Sequence, residues 1–128
     1  MHFIQTPQAP VPAGHYSQAV VHNGLVYVAG QLPHDPASPG AAPGDAEAQT
    51  EQTLRNVQAV LEAAGSGLHR ILQATVYVTD VGLWGDVNRA YARLMGEHRP
   101  ARAVVPVKEL HHGYLVEIQV IAATGEDS

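Results

Sequence analysis

Ala19-Val20-Val21-His22-Asn23-Gly24-Leu25-Val26-Tyr27-Val28-Ala29 is the stretch that decides the fold. Apolar and β-branched residues fill both flanks, and Asn-Gly at the centre suits a two-residue turn whose residues take positive φ. The text therefore predicts two antiparallel strands joined by a tight hairpin. Upstream, Pro7, Pro10, Pro12 and Gly14 mark residues 5–14 as an extended surface strap that delivers His15-Tyr16-Ser17-Gln18 to the first strand. Downstream, Gly30-Gln31-Leu32-Pro33 ends the second strand, and residues 33–44, with four Pro and two Gly, read as a long loop.

Beyond the loop the periodicity changes. From Asp45 onward Thr50, Leu54, Val57, Leu61 and Ala64 recur at steps of four and three, with Gly65 at the stop, which predicts an amphipathic helix. Ile71 to Val78 is β-branched and reads as a strand with Leu72, Ala74, Val76 and Val78 on one face. Asp80 is placed to cap a second helix carrying Leu83, Val87, Ala90, Tyr91 and Leu94 up to Gly96. Two more strand-like runs follow, Ala101 to Val107 and Leu115 to Ala122. The order strand, strand, helix, strand, helix, strand, strand predicts one α+β domain over residues 1–128, a mixed sheet with both helices on one face. The other face must then meet solvent or another subunit.

Composition narrows the function. Only 15% of the 128 residues are charged while 45% are hydrophobic, which leaves little charge to cover a monomer and points to an additional buried face. Seven Lys and Arg against twelve Asp and Glu, with no basic cluster, argue against a nucleic-acid partner. The absence of Cys removes thiolate nucleophiles, disulfides and zinc-thiolate sites. No run approaches the ~20 apolar residues of a membrane span, and the first residues lack a basic region followed by an apolar core, so a cytoplasmic protein without a membrane partner is expected.

Two charges stand inside the last strands, Arg102 and Glu117. Charges are seldom buried without a partner or a ligand. Alternation puts Ala103, Val105 and Val107 on one side of their strand and Arg102, Val104 and Pro106 on the other. In the last strand it sets Val116, Ile118, Val120 and Ala122 against Leu115, Glu117, Gln119 and Ile121. If the two apolar sets share the helix side, and the strands form a hairpin through Leu110 to Gly113, Arg102 faces Glu117 across the ladder on the open face. Such a pair serves either as an ion pair that fixes register or as the centre of a small-carboxylate site, with Arg102 gripping the carboxylate bidentately and Glu117 accepting a proton or holding water.

Seven segments, spread over nearly the whole chain, resemble the RidA family, also called YjgF/YER057c/UK114. They are Gly14-His15-Tyr16-Ser17-Gln18-Ala19, Val26 through Pro33, Gln49-Thr50 with Asn56, Thr75 through Asp80, Val87 through Tyr91, Arg99 through Arg102, and Val116 through Ala122. The resemblance implies a chorismate-mutase-like α+β fold assembled as a homotrimer with clefts between subunits. It also implies hydrolysis of reactive 2-imino acids and their enamine tautomers to 2-keto acids and ammonia. By the same resemblance Arg102 binds the substrate carboxylate, Glu117 attends the attacking water, Tyr16 helps close the cleft, and Asn88 and the Gly30-Gln31 corner line it. Ala29 and Val104 complete the expected pocket wall.

That chemistry needs no metal and no organic cofactor, because positioning and proton transfer suffice. The chain departs from the family at His15, where Pro commonly precedes the Tyr, at Ala29, where many relatives have Ser, and at His111, where Pro commonly follows the Leu. These departures touch the pocket wall and so the identity of the substrate. His111 and His112 are adjacent and point to opposite sides of an extended chain, and no other His forms a helical His-x-x-x-His pair, so no metal site is expected. A non-catalytic trimer that captures a small carboxylate would use Arg102 in the same way, but has no need of Glu117. A ribonuclease, reported among the family, fits poorly with net charge −5 and no basic groove.

Overall fold

The computed structural model describes residues 1–125. Its first strand, β1 (His2–Ile4), pairs antiparallel with β2 (Ala19–His22). The sequence carried no signal for so short an edge strand. Asn23 and Gly24 take φ of 51° and 77°, and the expected hairpin forms, with β3 (Leu25–Gln31) placing Leu25 opposite His22. The strap between β1 and β2 is held by Gln18, which is 2% exposed. Its side-chain amide donates to the carbonyls of Thr6, Ala9 and Pro10, and its oxygen accepts from the Thr6 N–H at 2.7 Å.

The first helix, α1 (Ala46–Ala63), begins at Asp45, whose carboxylate accepts from the Ala48 N–H at 2.9 Å, and ends before Gly65 at φ +79°. Thr50, Leu54, Val57 and Leu61 of its predicted stripe are all fully buried. β4 (Ile71–Val78) follows, then α2 (Trp84–Met95), reached through a short 3₁₀ turn that Asp80 caps at Gly82. Along β4 a register shift between Ile71 and Gln73 turns Ile71 into the core and leaves Leu72 at 50% exposure, the reverse of simple alternation.

The last two strands, β5 (Ala101–Pro106) and β6 (Val116–Ala123), do not form the hairpin that their proximity in sequence suggested. The sheet order is β1-β2-β3-β6-β4-β5. β5 lies parallel to β4 at the edge, and the chain crosses over to insert β6 antiparallel between β3 and β4. The physical reason lies in side chains. Val116, Ile118, Val120 and Ala122 are between 0 and 3% exposed, and a strand with so continuous an apolar face belongs in the middle of the sheet beneath the helices. β5 carries Arg102 and Pro106, and Pro lacks the N–H that a central strand needs.

This order overturns the expected sharing of one face. In the antiparallel pairing Val76 lies opposite Ile118 and Ala74 opposite Val120, so these residues look toward the helices. In the parallel pairing Ala74 neighbours Arg102 and Val76 neighbours Val104, which turns Arg102 and Val104 to the helix side as well. Glu117 neighbours Tyr77 on the open face. Arg102 and Glu117 therefore sit on opposite faces of one sheet with β4 between them.

Two buried amides tie the loops to this frame. Gln49, 3% exposed, accepts from the Leu115 N–H at 2.8 Å and donates to the Gly44 carbonyl, setting where β6 begins. Asn56, 1% exposed, donates to the carbonyls of Leu32 and His34 at 2.9 and 2.8 Å and so fixes the chain after β3. Asn56→Ala strands both carbonyls and opens a void. The expected loss is about 2 kcal/mol in urea unfolding, with an unchanged m-value, and a loss below about 0.5 kcal/mol would show that the amide does not anchor this loop.

Candidate functional site

α2 carries Trp84, Asn88 and Tyr91 at i, i+4 and i+7, which is one stripe of a helix. Arg102 reaches this stripe from the edge strand. Its Nη1 donates to Asn88 Oδ1 at 3.0 Å, and its Cζ stands 4.7 Å from the Tyr91 ring centroid and 5.9 Å from that of Trp84. A guanidinium held over aromatic faces by cation–π attraction keeps its edge donors free for a planar anion. Among the described residues no carboxylate pairs with Arg102, in contrast to Arg89 and Arg93, which bind Glu47 across the helix pair.

A cleft of about 540 Å³ opens beside it, lined by Asn88, Tyr91, His98, Arg99 and Arg102 among others. Tyr91 is 7% exposed, and its hydroxyl has no hydrogen-bond partner among the described residues. Burial pushes its ionisation upward, against the pull of the neighbouring Arg102 charge.

Glu117 belongs to a second locus on the other side of the sheet. Between Val28 and Gln31 the register of β3 against β6 shifts, bringing Gln31 opposite Ile118 and leaving Gly30 against Glu117. A Cβ at position 30 would collide with Glu117 Oε2 and lie 2.9 Å from Cδ. Gly30 thus leaves the Glu117 carboxyl the place it occupies, which any side chain at position 30 would take. Burial raises the pKa of Glu117, and His111 nearby opposes that rise. A carboxylate partly stripped of water beside an imidazole is suited to accepting and returning a proton.

Next to it a smaller cleft of about 220 Å³ is lined by Tyr16, Gly30, Gln31, His34, His112 and Tyr114, with Gln18 and three apolar residues of the strap and loop. Tyr16, 53% exposed, accepts weakly through its hydroxyl from the Ala13 N–H at 3.4 Å. Gln31 is buried and its amide donates to the Ala29 carbonyl at 3.2 Å.

The expected residues thus divide into two groups. Asn88 and Arg102 meet on the helix side. Tyr16, Gly30 and Gln31 line the smaller cleft with Glu117 against Gly30, and Ala29 joins them only through its carbonyl. Val104, partly buried, packs against the core instead of lining either cleft. His15 and His111, the two histidine departures from the family, are exposed and line neither cleft, whereas His112, next to His111, lines the smaller one. Sequence reading missed Trp84 and Tyr91 as neighbours of Arg102, although their spacing with Asn88 was visible. It had no means of finding His34 or Tyr114, which reach the cleft through irregular loops.

Among the described residues no group of His, Asp or Glu is arranged to hold a metal ion, and no helix is long and apolar enough to cross a membrane.

Residues 6–124 match the family model described as Endoribonuclease L-PSP. A RutC family protein of Pyrococcus horikoshii is 42% identical over 93% of this chain and 94% of its own length. The 2-iminobutanoate/2-iminopropanoate deaminase of Bos taurus is 38% identical over 95% of this chain and 89% of its own. Among solved structures, RidA from an Antarctic Psychrobacter superposes with a TM-score of 0.91 at 38% identity, covering 96% of this chain and 99% of that one. E. coli TdcF with bound serine superposes with a TM-score of 0.92 at 33% identity, covering 98% of this chain and all of that one. With one family model spanning nearly the whole chain and relatives alike in sequence and in fold, this chain belongs to the Endoribonuclease L-PSP family, the RidA/YjgF group.

Proposed function

We propose that this protein hydrolyses reactive 2-imino acids and their enamine tautomers to 2-keto acids and ammonia, in clefts formed between copies of the chain arranged as a homotrimer in the cytoplasm. The observation that carries the reading is the separation of Arg102 from Glu117. Each sits in half of a site: an unpaired guanidinium on an edge strand, and a partly buried carboxylate on an uncovered sheet face. One chain cannot bring the two together, but a second copy laid against the β5 edge can. Exposed Tyr27 and Leu72 on the sheet support such a covered face, as does the free edge of β5.

In such a cleft Arg102 holds the carboxylate of the imino acid through two charge-assisted bonds, with Asn88 fixing the guanidinium plane. Glu117 of the facing copy orients water toward C2 and takes its proton as oxygen adds to the carbon. Glu117 passes that proton to the imine nitrogen, giving a tetrahedral carbinolamine that carries no new charge and whose carboxylate stays paired with Arg102. Glu117 then takes the hydroxyl proton and returns it to the amine, so that ammonia leaves as the carbon–oxygen double bond of the keto acid forms. Substrate, water and protons balance without an oxidant or a cofactor. The naming of the bovine relative as an imine deaminase agrees with this reading. The binding of nucleic acid does not, since the chain carries net charge −5.

The serine bound to TdcF favours a second reading, a trimer that captures small carboxylates without turning them over. Glu117 separates the two. A binder tolerates Glu117→Gln, whereas a deaminase loses its proton acceptor.

Arg102→Ala is expected to lower kcat/KM on order of 100-fold, the worth of two charge-assisted hydrogen bonds, when ammonia release is followed from imines generated in situ by an amino-acid oxidase. Equal rates for the two proteins would remove the enzyme reading.

Gly30→Ala displaces the flexible end of Glu117 and little else, so it should lower kcat by at least about tenfold while circular dichroism and melting temperature stay close to wild type. Unchanged kcat would show that the position of Glu117 is immaterial.

Glu117→Gln should abolish turnover and yet raise stability near neutral pH. The native carboxyl holds its proton to higher pH than the unfolded one, so its favourable contribution is full at low pH and is lost as pH rises through the native pKa. The melting-temperature gain of the variant should therefore grow from acid to neutral pH. A gain that shrinks with rising pH contradicts the burial of this charge.

A further inference from the structure

The smaller cleft has a wall that deamination of small imines does not call for. His111, His112 and Tyr114 form a chain of edge-on ring contacts, with centroids 4.9 and 5.9 Å apart and interplanar angles of 61° and 73°. His112, Tyr114, Tyr16 and His34 all line the cleft, with Leu32 contributing apolar surface.

His112 is the unusual member. Its backbone stands at φ 60°, ψ 19°, in the left-handed region that non-glycine side chains seldom occupy. Packing does not explain this, because the residue is exposed and, among the described residues, its side chain makes no hydrogen bond. A strained residue that presents its ring to a cleft without serving the core is the kind of outlier that points to a ligand. Asn56 binds the backbone carbonyls of Leu32 and His34, two of the lining residues, so that part of the cleft is preorganised.

We propose that this cleft is a side-chain subsite for ligands bearing a planar aromatic ring, lined by His112, Tyr114, Tyr16 and His34. The identification of the ring as the side chain of a 2-imino acid rests on the deaminase reading; the ring preference itself does not. The volume, about 220 Å³, suffices, since a cavity of about 150 Å³ accommodates benzene. The faces and edges of imidazole and phenol rings offer offset and T-shaped partners to another ring. Among the described residues no Lys or Arg lines the cleft to neutralise an acidic side chain, and Glu117 against Gly30 opposes one. A methyl or ethyl side chain would leave most of the ring wall unused.

Calorimetric titration of the protein with pyruvate, oxaloacetate and phenylpyruvate tests the preference without requiring turnover. Wild type should bind phenylpyruvate at least about tenfold more tightly than pyruvate. His112→Gly relieves the left-handed strain and should fold at least as well, and Tyr114→Ala provides an independent truncation. Both should bring the two affinities within about threefold by weakening phenylpyruvate. Equal affinities in wild type, a preference for oxaloacetate, no binding of phenylpyruvate, or a preference that survives both substitutions overturns the subsite. Preference for phenylpyruvate without hydrolysis of any imine removes the deaminase reading alone, whereas hydrolysis of aliphatic imines without ring preference removes the subsite alone.

Discussion

The rest of the molecule depends on where β6 lies. Val116, Ile118, Val120 and Ala122 present an unbroken apolar face, and burying each of the larger ones stabilises the fold by roughly 1.5–3 kcal/mol. That gain is available only under the helices in the middle of the sheet. Once β6 pairs with β3 on one side and β4 on the other, β5 has only the outer edge of β4 left and must run parallel to it. Arg102 then points to α2, and Glu117 to the open face. The placement of Arg102 and Glu117 on opposite faces of the sheet is a consequence of core burial.

Both faces of the sheet carry groups that cost the fold stability. Glu117 keeps a charge where water is scarce, over a glycine that leaves it room. Tyr91 buries a hydroxyl without a partner while its ring supports Arg102. His112 holds a backbone conformation that glycine would adopt more readily. The strain and desolvation lie beside the two clefts, while the buried polar groups of α1 are satisfied: Thr50 and Thr53 return their hydroxyls to carbonyls one turn back, and Gln49 and Asn56 pair with loop backbone. Rigid support beneath a locally unfavourable surface is how a fold can hold reactive groups in place.

Much of this was legible in the chain itself. The Asn23-Gly24 hairpin, both helices and their stops, and the buried stripe of α1 follow from turn chemistry and period, and so does the apolar set of β6. Arg102 and Glu117 stood out because charge inside strand text is rare. What failed was the inference from neighbouring in sequence to neighbouring in space. A hairpin between β5 and β6 would have been the shorter connection, but it would have left the most apolar strand at an edge. The wrong face for Arg102 followed, since its parity was reckoned against the apolar side of a strand where Ala103 and Val105 looked as buried as Val104. In the fold Ala103 is exposed and Val104 packs against the core. Leu72 failed for a similar reason, because a register irregularity does not show in the alternation of its own strand.

By itself the sequence determined the elements, their caps, the helix-facing apolar sets and the identity of the charged and aromatic residues available for chemistry, because local sterics and periodicity act over a few residues. Only the tertiary structure decided which strands meet, which face each charge occupies, and that Gly30 lies under Glu117 while Trp84, Asn88 and Tyr91 surround Arg102. Those placements depend on competition among strands for the same buried position beneath two helices, and the outcome of that competition is a property of the whole chain.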